Sequence, residues 1–296
     1  MKKLFLYTII GLFAAACTKP NLDALAFPSE KADNYEFENY DAGAGNVPTI
    51  YDVTSDNYTL VSMTSIDGNT GDEYTIYGVY IGDMATMVSD TVIMYCHGQA
   101  KHMDAYWPRA TLLASLVETY QYGVFMMDYR GYGMSEGTPT EQGLYEDVDA
   151  SIDWLIAMGA KQEQTFYYGF SLGCIPIIDR AAYRSDFQPA KIIIESPLAS
   201  VDKLAHSSLI LNVDPNFVST LEFENAEKMK AISMPLLWFH GVEDDYIEIE
   251  NGELIYGNHS GSYKEAVRVN GAGHGNIPEI YGYDNYIVHL ENYIKL

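Results

Sequence analysis

Apolar positions along the chain fall into short runs, separated by stretches in which they recur at helical spacing. Residues 58–63 and 74–80 alternate apolar and polar positions and predict an antiparallel pair, with Gly68-Asn69 and Gly71-Asp72 in the turn region. From there strands and helices alternate. Strands are predicted over 91–96, 123–128, 165–170, 191–195, 235–240 and 265–269. Helices are predicted over 106–119, 141–158, from about 172, and over 200–211, 220–231, 248–256 and 283–294. Continuous apolar strands alternating with helices imply a mostly parallel sheet covered on both faces, an α/β class. Active sites of such sheets lie beyond the carboxyl ends of the strands.

One strand carries the strongest chemical signal. The run Thr165-Phe166-Tyr167-Tyr168 leads into Gly169-Phe170-Ser171-Leu172-Gly173, and apolar residues at helical spacing follow (Leu172, Ile175, Ile178, Ala182). Strand, sharp turn and helix form the setting in which a Gly-x-Ser-x-Gly serine is held up as a nucleophile. A second copy, Gly133-Met134-Ser135-Glu136-Gly137, lacks that setting. Arg130-Gly131-Tyr132 separates it from its strand, and Thr138-Pro139-Thr140 follows it, so Ser135 reads as a loop residue.

A serine hydroxyl needs a base within hydrogen-bond reach, and the base needs an orienting carboxylate. The strand over 235–240 ends in His240-Gly241-Val242-Glu243-Asp244-Asp245, and the strand over 265–269 in Asn270-Gly271-Ala272-Gly273-His274-Gly275. Both ends fall on the edge that carries Ser171. His274 is the candidate base. Glu243, Asp244 and Asp245 are adjacent candidates for the acid. His240 is expected to pack at its strand end, and His97-Gly98 to form a turn.

Charge narrows the function classes. The net charge of −24 argues against a nucleic-acid partner, because phosphate backbones would be repelled. Glu141, Glu146, Asp147, Asp149 and Asp153 read as a solvated helix face. Cys96 and Cys174 sit in apolar runs and read as buried free thiols; a disulfide between them has no support in the pattern. No CxxC, HExxH or dense His/Asp cluster suggests a metal, and no cofactor is expected.

The start of the chain has the layout of a secretory signal: Met1-Lys2-Lys3, an apolar stretch to Phe13, then Ala14-Ala15-Ala16-Cys17. It resembles the lipobox of bacterial lipoproteins, with Ala14 where leucine is usual. The resemblance implies a signal over residues 1–16 and a lipid on Cys17. Residues 17–50 would then be a lipidated tether, and residues 51–296 one catalytic domain. It further implies a protein lipid-anchored in the bacterial cell envelope, on the outer membrane or the periplasmic or surface face.

From about Tyr51 onward the chain resembles an α/β-hydrolase of the serine-hydrolase type, with a small lid or none. Within that superfamily it is similar to the lidless ABHD depalmitoylase-like and Bem-type group. The motifs that carry the resemblance are His97-Gly98-Gln99-Ala100, Asp128-Tyr129-Arg130-Gly131-Tyr132-Gly133, Leu144-Tyr145-Glu146-Asp147, Ser196-Pro197-Leu198, His240-Gly241-x-x-Asp244 and Gly271-Ala272-Gly273-His274. The resemblance implies the triad Ser171, Asp244 and His274, with Asp245 as second choice for the acid. It also implies oxyanion donors at the backbone N–H groups of Gln99 and Leu172. Two departures stand out. Pro176 removes an N–H early in the elbow helix and is expected to disturb its first hydrogen bond, and Cys174 stands where relatives often have glycine.

These observations predict a serine hydrolase cleaving esters or thioesters of small-molecule or acylated substrates. An open cleft partly roofed by residues 198–218 is expected, with Leu209, Ile210, Leu211 and Phe217 as acyl contacts. A peptidase of the same fold is an alternative, with Glu243, Asp245 and Glu248 to hold a substrate amino group. A hydrolase-fold binding lipoprotein without turnover is the other.

Overall fold

The computed structural model of the chain describes residues 21–37, 47–118, 122–206 and 220–296. Cys17, Leu209, Ile210, Leu211 and Phe217 lie outside them. Eight strands form one sheet: β1 (Tyr58–Ile66), β2 (Glu73–Ile81), β3 (Thr91–Cys96), β4 (Tyr122–Met127), β5 (Thr165–Phe170), β6 (Lys191–Glu195), β7 (Leu236–Gly241) and β8 (Lys264–Val269). Their order is β1-β2-β4-β3-β5-β6-β7-β8. The β1–β2 and β2–β4 pairs are antiparallel, and every later pair is parallel. The helices among the described residues are α1 (Asp23–Ala26), α2 (Met103–Ala114), α3 (Glu141–Ala157), α4 (Cys174–Tyr183), α5 (Val201–His206), α6 (Asn225–Lys228), α7 (Glu250–Asn258), α8 (Ile277–Tyr281) and α9 (Tyr283–Ile294).

The two-residue period of the strands divides the core. Phe166, Tyr168 and Phe170 of β5 point to one face, with Ile193, Leu237 and Phe239 beside them and α2 and α9 above. Tyr167 points to the other face, with Met94, Ile192, Ile194 and Trp238, under α3, α4 and α7. Both faces are covered, which is why these strands read as unbroken apolar runs. α3 starts where Thr140 Oγ1 accepts from Gly143 N–H at 2.9 Å, an ordinary side-chain cap.

Register sets the functional edge. Cys96 pairs with Gly169, Phe170 with Glu195, Glu195 with Phe239, and Gly241 with Val269. The carboxyl ends of β3, β5, β6, β7 and β8 therefore line up, and the loops that carry His97, Ser171, Asp244 and His274 leave the sheet together.

Several expectations are corrected. Residues 21–37 pack onto the domain and do not run as a free tether. Leu22, Ala26, Phe27 and Phe37 are buried; burying one such large side chain contributes about 1.5–3 kcal/mol. The acidic run on α3 is a solvated face at Asp153 but not along the rest of its length. Asp147 is fully buried against Arg130, whose Nε lies 2.9 Å from its carboxylate, and Glu146 meets the same guanidinium at 2.8 Å. Asp149 lies between Arg180 and Arg184. The charge pattern hid these partners because they sit on a turn and a helix distant in sequence. The helix expected over 200–211 is helical over the described part Val201–His206, and 220–231 contains only α6 and one further 3₁₀ turn, Met229–Ala231.

Candidate active site

β5 ends at Phe170, and Ser171 takes φ 53°, a left-handed conformation that costs an L-residue about 1–2 kcal/mol. The flanking glycines are required by close approach. A Cβ on Gly173 would overlap the Cys96 carbonyl, and one on Gly169 would stand 2.8 Å from the backbone nitrogen of Cys174. Ser171–Gly173 form a 3₁₀ turn before α4 begins at Cys174. Pro176 thus falls in the first turn of α4, where an N–H has no intrahelical acceptor to lose, so the expected disturbance is absent. The Cys174 thiol donates to the Gly169 carbonyl at 3.1 Å. Cys96 and Cys174 are both free and buried, and burial pushes the Cys96 thiol up to about 12 and Cys174 well above its ordinary value.

The structure brings Ser171, His274 and Asp244 into one hydrogen-bonded chain. His274 Nε2 lies 2.9 Å from Ser171 Oγ, and His274 Nδ1 lies 2.9 Å from Asp244 Oδ2. Since a carboxylate only accepts, Nδ1 carries the proton, and Nε2 is bare towards the hydroxyl. The three adjacent acids are now distinguished. Asp244 is buried and meets His274, whereas Asp245 is exposed and Glu243 accepts from Gly271 N–H. Burial alone would raise the Asp244 pKa. Hydrogen bonds from His240, His274 and the Ile247 N–H outweigh it and hold this carboxyl well below the usual range.

His240 has a larger part than strand-end packing. Trp238 Nε1–H donates to His240 Nδ1 at 3.2 Å, which leaves the proton on Nε2. That N–H reaches the Ile247 carbonyl at 2.9 Å and lies 3.4 Å from Asp244 Oδ2. The loop 244–247 is therefore tied at both ends, and Asp244 Oδ1 accepts from the Tyr246 and Ile247 N–H groups at 3.0 and 2.8 Å. The His274 loop is equally fixed. Gly273 N–H donates to Asn276 Oδ1 at 2.8 Å, and Arg109 donates to the Gly275 carbonyl at 3.1 Å while its other arm meets buried Glu195 at 2.5 Å.

The loop after β3 has each carbonyl engaged by a side chain. Tyr129 OH donates to His97 O at 2.9 Å, His97 Nδ1 lies 2.7 Å from Gly98 O, and Tyr106 OH donates to Gln99 O at 2.6 Å. His97 Nε2 meets Asp128 at 2.9 Å, so His97 is a buried brace as well as part of a turn. Gln99 Nε2 donates to Tyr246 OH at 2.6 Å, and the Tyr246 ring packs 4.9 Å from that of His274. Gln99 and Leu172 line one small cavity together with Ser171. Tyr106, Arg109, Tyr246 and the bracing role of His240 were missed in the sequence. Tyr246, two places after Asp244, offered the only local signal. Among the described residues no group of His, Cys, Asp and Glu is arranged to hold a metal ion, and no helix is long and apolar enough to cross a membrane.

The second Gly-x-Ser-x-Gly serine is structural. Ser135 is fully buried, donates to Asp128 O at 2.8 Å and accepts from Tyr77 N–H at 2.9 Å.

Comparison with known proteins agrees with this architecture. Residues 88–230 match the family described as serine aminopeptidase, S33. Human alpha/beta hydrolase domain-containing protein 17B is 30% identical over 209 residues, covering 69% of this chain and 66% of that protein. The human 17C protein is 30% identical over 207 residues, 69% of this chain and 57% of its own length. The chain thus spans between 57% and 66% of the length of these curated relatives. Among solved structures, the Pyrococcus furiosus esterase Pf2001 superimposes with a TM-score of 0.63 at 19% identity, over 80% of this chain and 91% of that one. Esterase RhEst1 from a Rhodococcus species gives 0.60 at 17% identity, over 80% and 98%. Strand order, sheet register and the structural likenesses together show that the chain has the α/β-hydrolase fold.

Proposed function

We propose that the chain is a serine hydrolase that cleaves carboxylic esters or thioesters through an acyl-enzyme on Ser171. The observation that carries this reading is the relay from Ser171 Oγ to His274 Nε2 and from Nδ1 to Asp244, each step 2.9 Å, with the serine held in a strained turn. Ser171 Oγ attacks the acyl carbonyl carbon as its proton passes to His274 Nε2. The carbonyl electron pair moves to oxygen, where the Gln99 and Leu172 N–H groups receive it; one such donor is worth about 10²–10³-fold in rate. The pair returns, the bond to the leaving oxygen or sulfur breaks, and His274 hands its proton to that atom. Water then adds to the acyl-enzyme, gives a proton to His274, and the acid leaves as the proton returns to Ser171.

The matched family's name favours a second reading, an aminopeptidase. The acids expected to hold an amino group do not support it. Glu243 is engaged by Gly271, and neither Asp245 nor Glu248 lines the cavities beside Ser171 and His274. Fluorophosphonate labelling of the purified protein tests the serine, and p-nitrophenyl esters assayed beside aminoacyl-naphthylamides separate the two readings. Labelling that survives Ser171→Ala, or a folded protein that is never labelled, would remove the proposal. The signal-like start and Cys17 further support attachment to a bacterial envelope membrane. Incorporation of a labelled fatty acid, lost in Cys17→Ser, is the expected result.

A further inference from the structure

Two unequal spaces flank the candidate triad. The smaller, about 10 Å³, contains Ser171 with Gln99 and Leu172, the two residues whose N–H groups would receive the oxyanion. Its walls are apolar: Ile175, Leu198, Leu204 and Phe223. Ala26 and Phe27 complete them. Room of that size holds about one water-sized sphere. The larger space, about 590 Å³, lies on the other side of His274 and is lined by Tyr106, Arg109, Asn276, Glu279 and Tyr283 among others. His274 must protonate the departing group, so the leaving group belongs on the side that His274 borders. The acyl carbon belongs with the oxyanion donors, in the small space.

The wall formed by Phe27 comes from outside the catalytic β/α units, and the chain fixes it on both sides. Before it, Glu141 N–H donates to Asp23 Oδ1 at 3.2 Å, and Phe27 N–H closes α1 on Asp23 O at 2.7 Å. After it, Gly133 N–H donates to Glu30 O at 2.8 Å, Ala32 N–H to Gly133 O at 3.0 Å, and Lys31 Nζ to Ser135 O at 2.5 Å. Phe27 itself is 2% exposed. The amino-terminal segment is thus docked across the pocket, and the loop that docks it is the second glycine-serine-glycine turn.

We propose that Phe27 sets the acyl-chain limit of this enzyme, and that its substrates are acetyl esters, or esters little longer, of bulky alcohols. The inference rests on the hydrolase reading above and specifies its substrate class. A longer acyl chain would have to displace the Phe27 ring together with the segment clamped on either side of it.

The test is a p-nitrophenyl ester series from acetate to palmitate, run on the wild-type protein, Phe27→Ala and the bulkier Phe27→Leu, with thermal melts to establish folding and fluorophosphonate labelling as a separate readout. The wild type is expected to lose at least about 100-fold in kcat/KM between acetyl and octanoyl esters, since even one methylene that a pocket cannot accept is worth about tenfold or more. Phe27→Ala should close that gap by about tenfold or more, with Phe27→Leu in between. A wild type that cleaves octanoyl or palmitoyl esters as well as acetyl would overturn the acyl limit and leave the hydrolase reading intact. So would folded Phe27 variants with an unmoved ratio. A folded wild type that is neither labelled nor active on any ester would overturn both.

Discussion

The same five-residue pattern occurs twice, and the two copies place their strain on different residues. In Gly169-Phe170-Ser171-Leu172-Gly173 the serine itself is left-handed, at φ 53°, and neither glycine is. Those glycines exist to let the backbones of β3 and α4 pass close by. In Gly133-Met134-Ser135-Glu136-Gly137 the glycines take the left-handed conformations, φ 48° and 77°, and the serine is relaxed. The hydroxyls follow from this. Ser171 faces His274 at the sheet edge, whereas Ser135 turns inward and joins β2 to the end of β4. The pattern is a grammar for tight turns. It becomes a nucleophile only where the serine bears the strain and a base waits above it.

The sharpest way to break this comparison is to remove each hydroxyl in turn. Ser171→Ala should abolish fluorophosphonate labelling and lower ester turnover about 10⁴–10⁶-fold. Folded Ser135→Ala should label as the wild type does. The reverse pattern would mean that turn strain does not mark the nucleophile.

Next in size is the acid. Asp244→Asn should cost about 10⁴-fold in kcat by reversing the favoured tautomer of His274, while exposed Asp245→Asn should change it by about twofold or less. Asp244 also links stability to pH. Its folded pKa is depressed, so its ionised form stabilises the fold above the ordinary carboxylate value near ~3.9, and that contribution is lost as pH falls below it. The melting temperature of the wild type should therefore exceed that of Asp244→Asn at pH 7, and the gap should narrow steadily below about pH 4. A gap that is constant across that range would mean that the carboxylate is not held by its two histidines.

Much of this contrast was legible before the fold. Strands 91–96, 165–170 and 191–195 and the last helix coincide with their expected bounds, because short apolar runs closed by polar or glycine residues mark buried strands and the helix shows an amphipathic period. Ser171 and His274 were visible because glycines bracket them at strand ends. The residues themselves narrowed the acid to three neighbours, and only the family resemblance ranked Asp244 first, since burial distinguishes Asp244 from Asp245 and burial is a tertiary property. Tyr106, Tyr246 and His240 were not visible as parts of the site. Each acts through contacts made across the sheet edge, and only Tyr246, two places after Asp244, had a local signal. The docking of Phe27 was missed for a related reason: a short segment rich in Asn, Asp, Glu and Pro reads as a linker until its receptor is seen.

The glycines give a smaller but more discriminating test. Gly173→Ala places a methyl group on the Cys96 carbonyl, where only backbone movement can relieve it, and should cost about 4 kcal/mol or more. Gly137→Ala meets only the Tyr74 ring, at 2.9 Å, and carries the left-handed penalty of about 1–2 kcal/mol. Urea denaturation of the two variants should therefore separate close approach from backbone conformation. Equal destabilisation would mean that the two turns are built in the same way.

The smallest effect is expected where the second serine is judged as structure. Ser135→Ala removes a donor to the Asp128 carbonyl and leaves the Tyr77 N–H without its acceptor, both in a fully buried setting. An unsatisfied buried N–H costs about 1–3 kcal/mol, so the midpoint of urea unfolding should fall accordingly. The loss should extend to residues 28–32, because Lys31 and the Gly133 backbone clamp that segment to the same loop. Amide exchange in the Ser135→Ala protein should then rise at Ala32, whose N–H is held by Gly133 O, by more than at Ile193 in β6, where a core amide reports the global loss. An equal rise at both would assign the loop to global stability alone. A larger rise at Ala32 would make the second copy of the motif the fastening for the wall of the acyl pocket that the first copy serves.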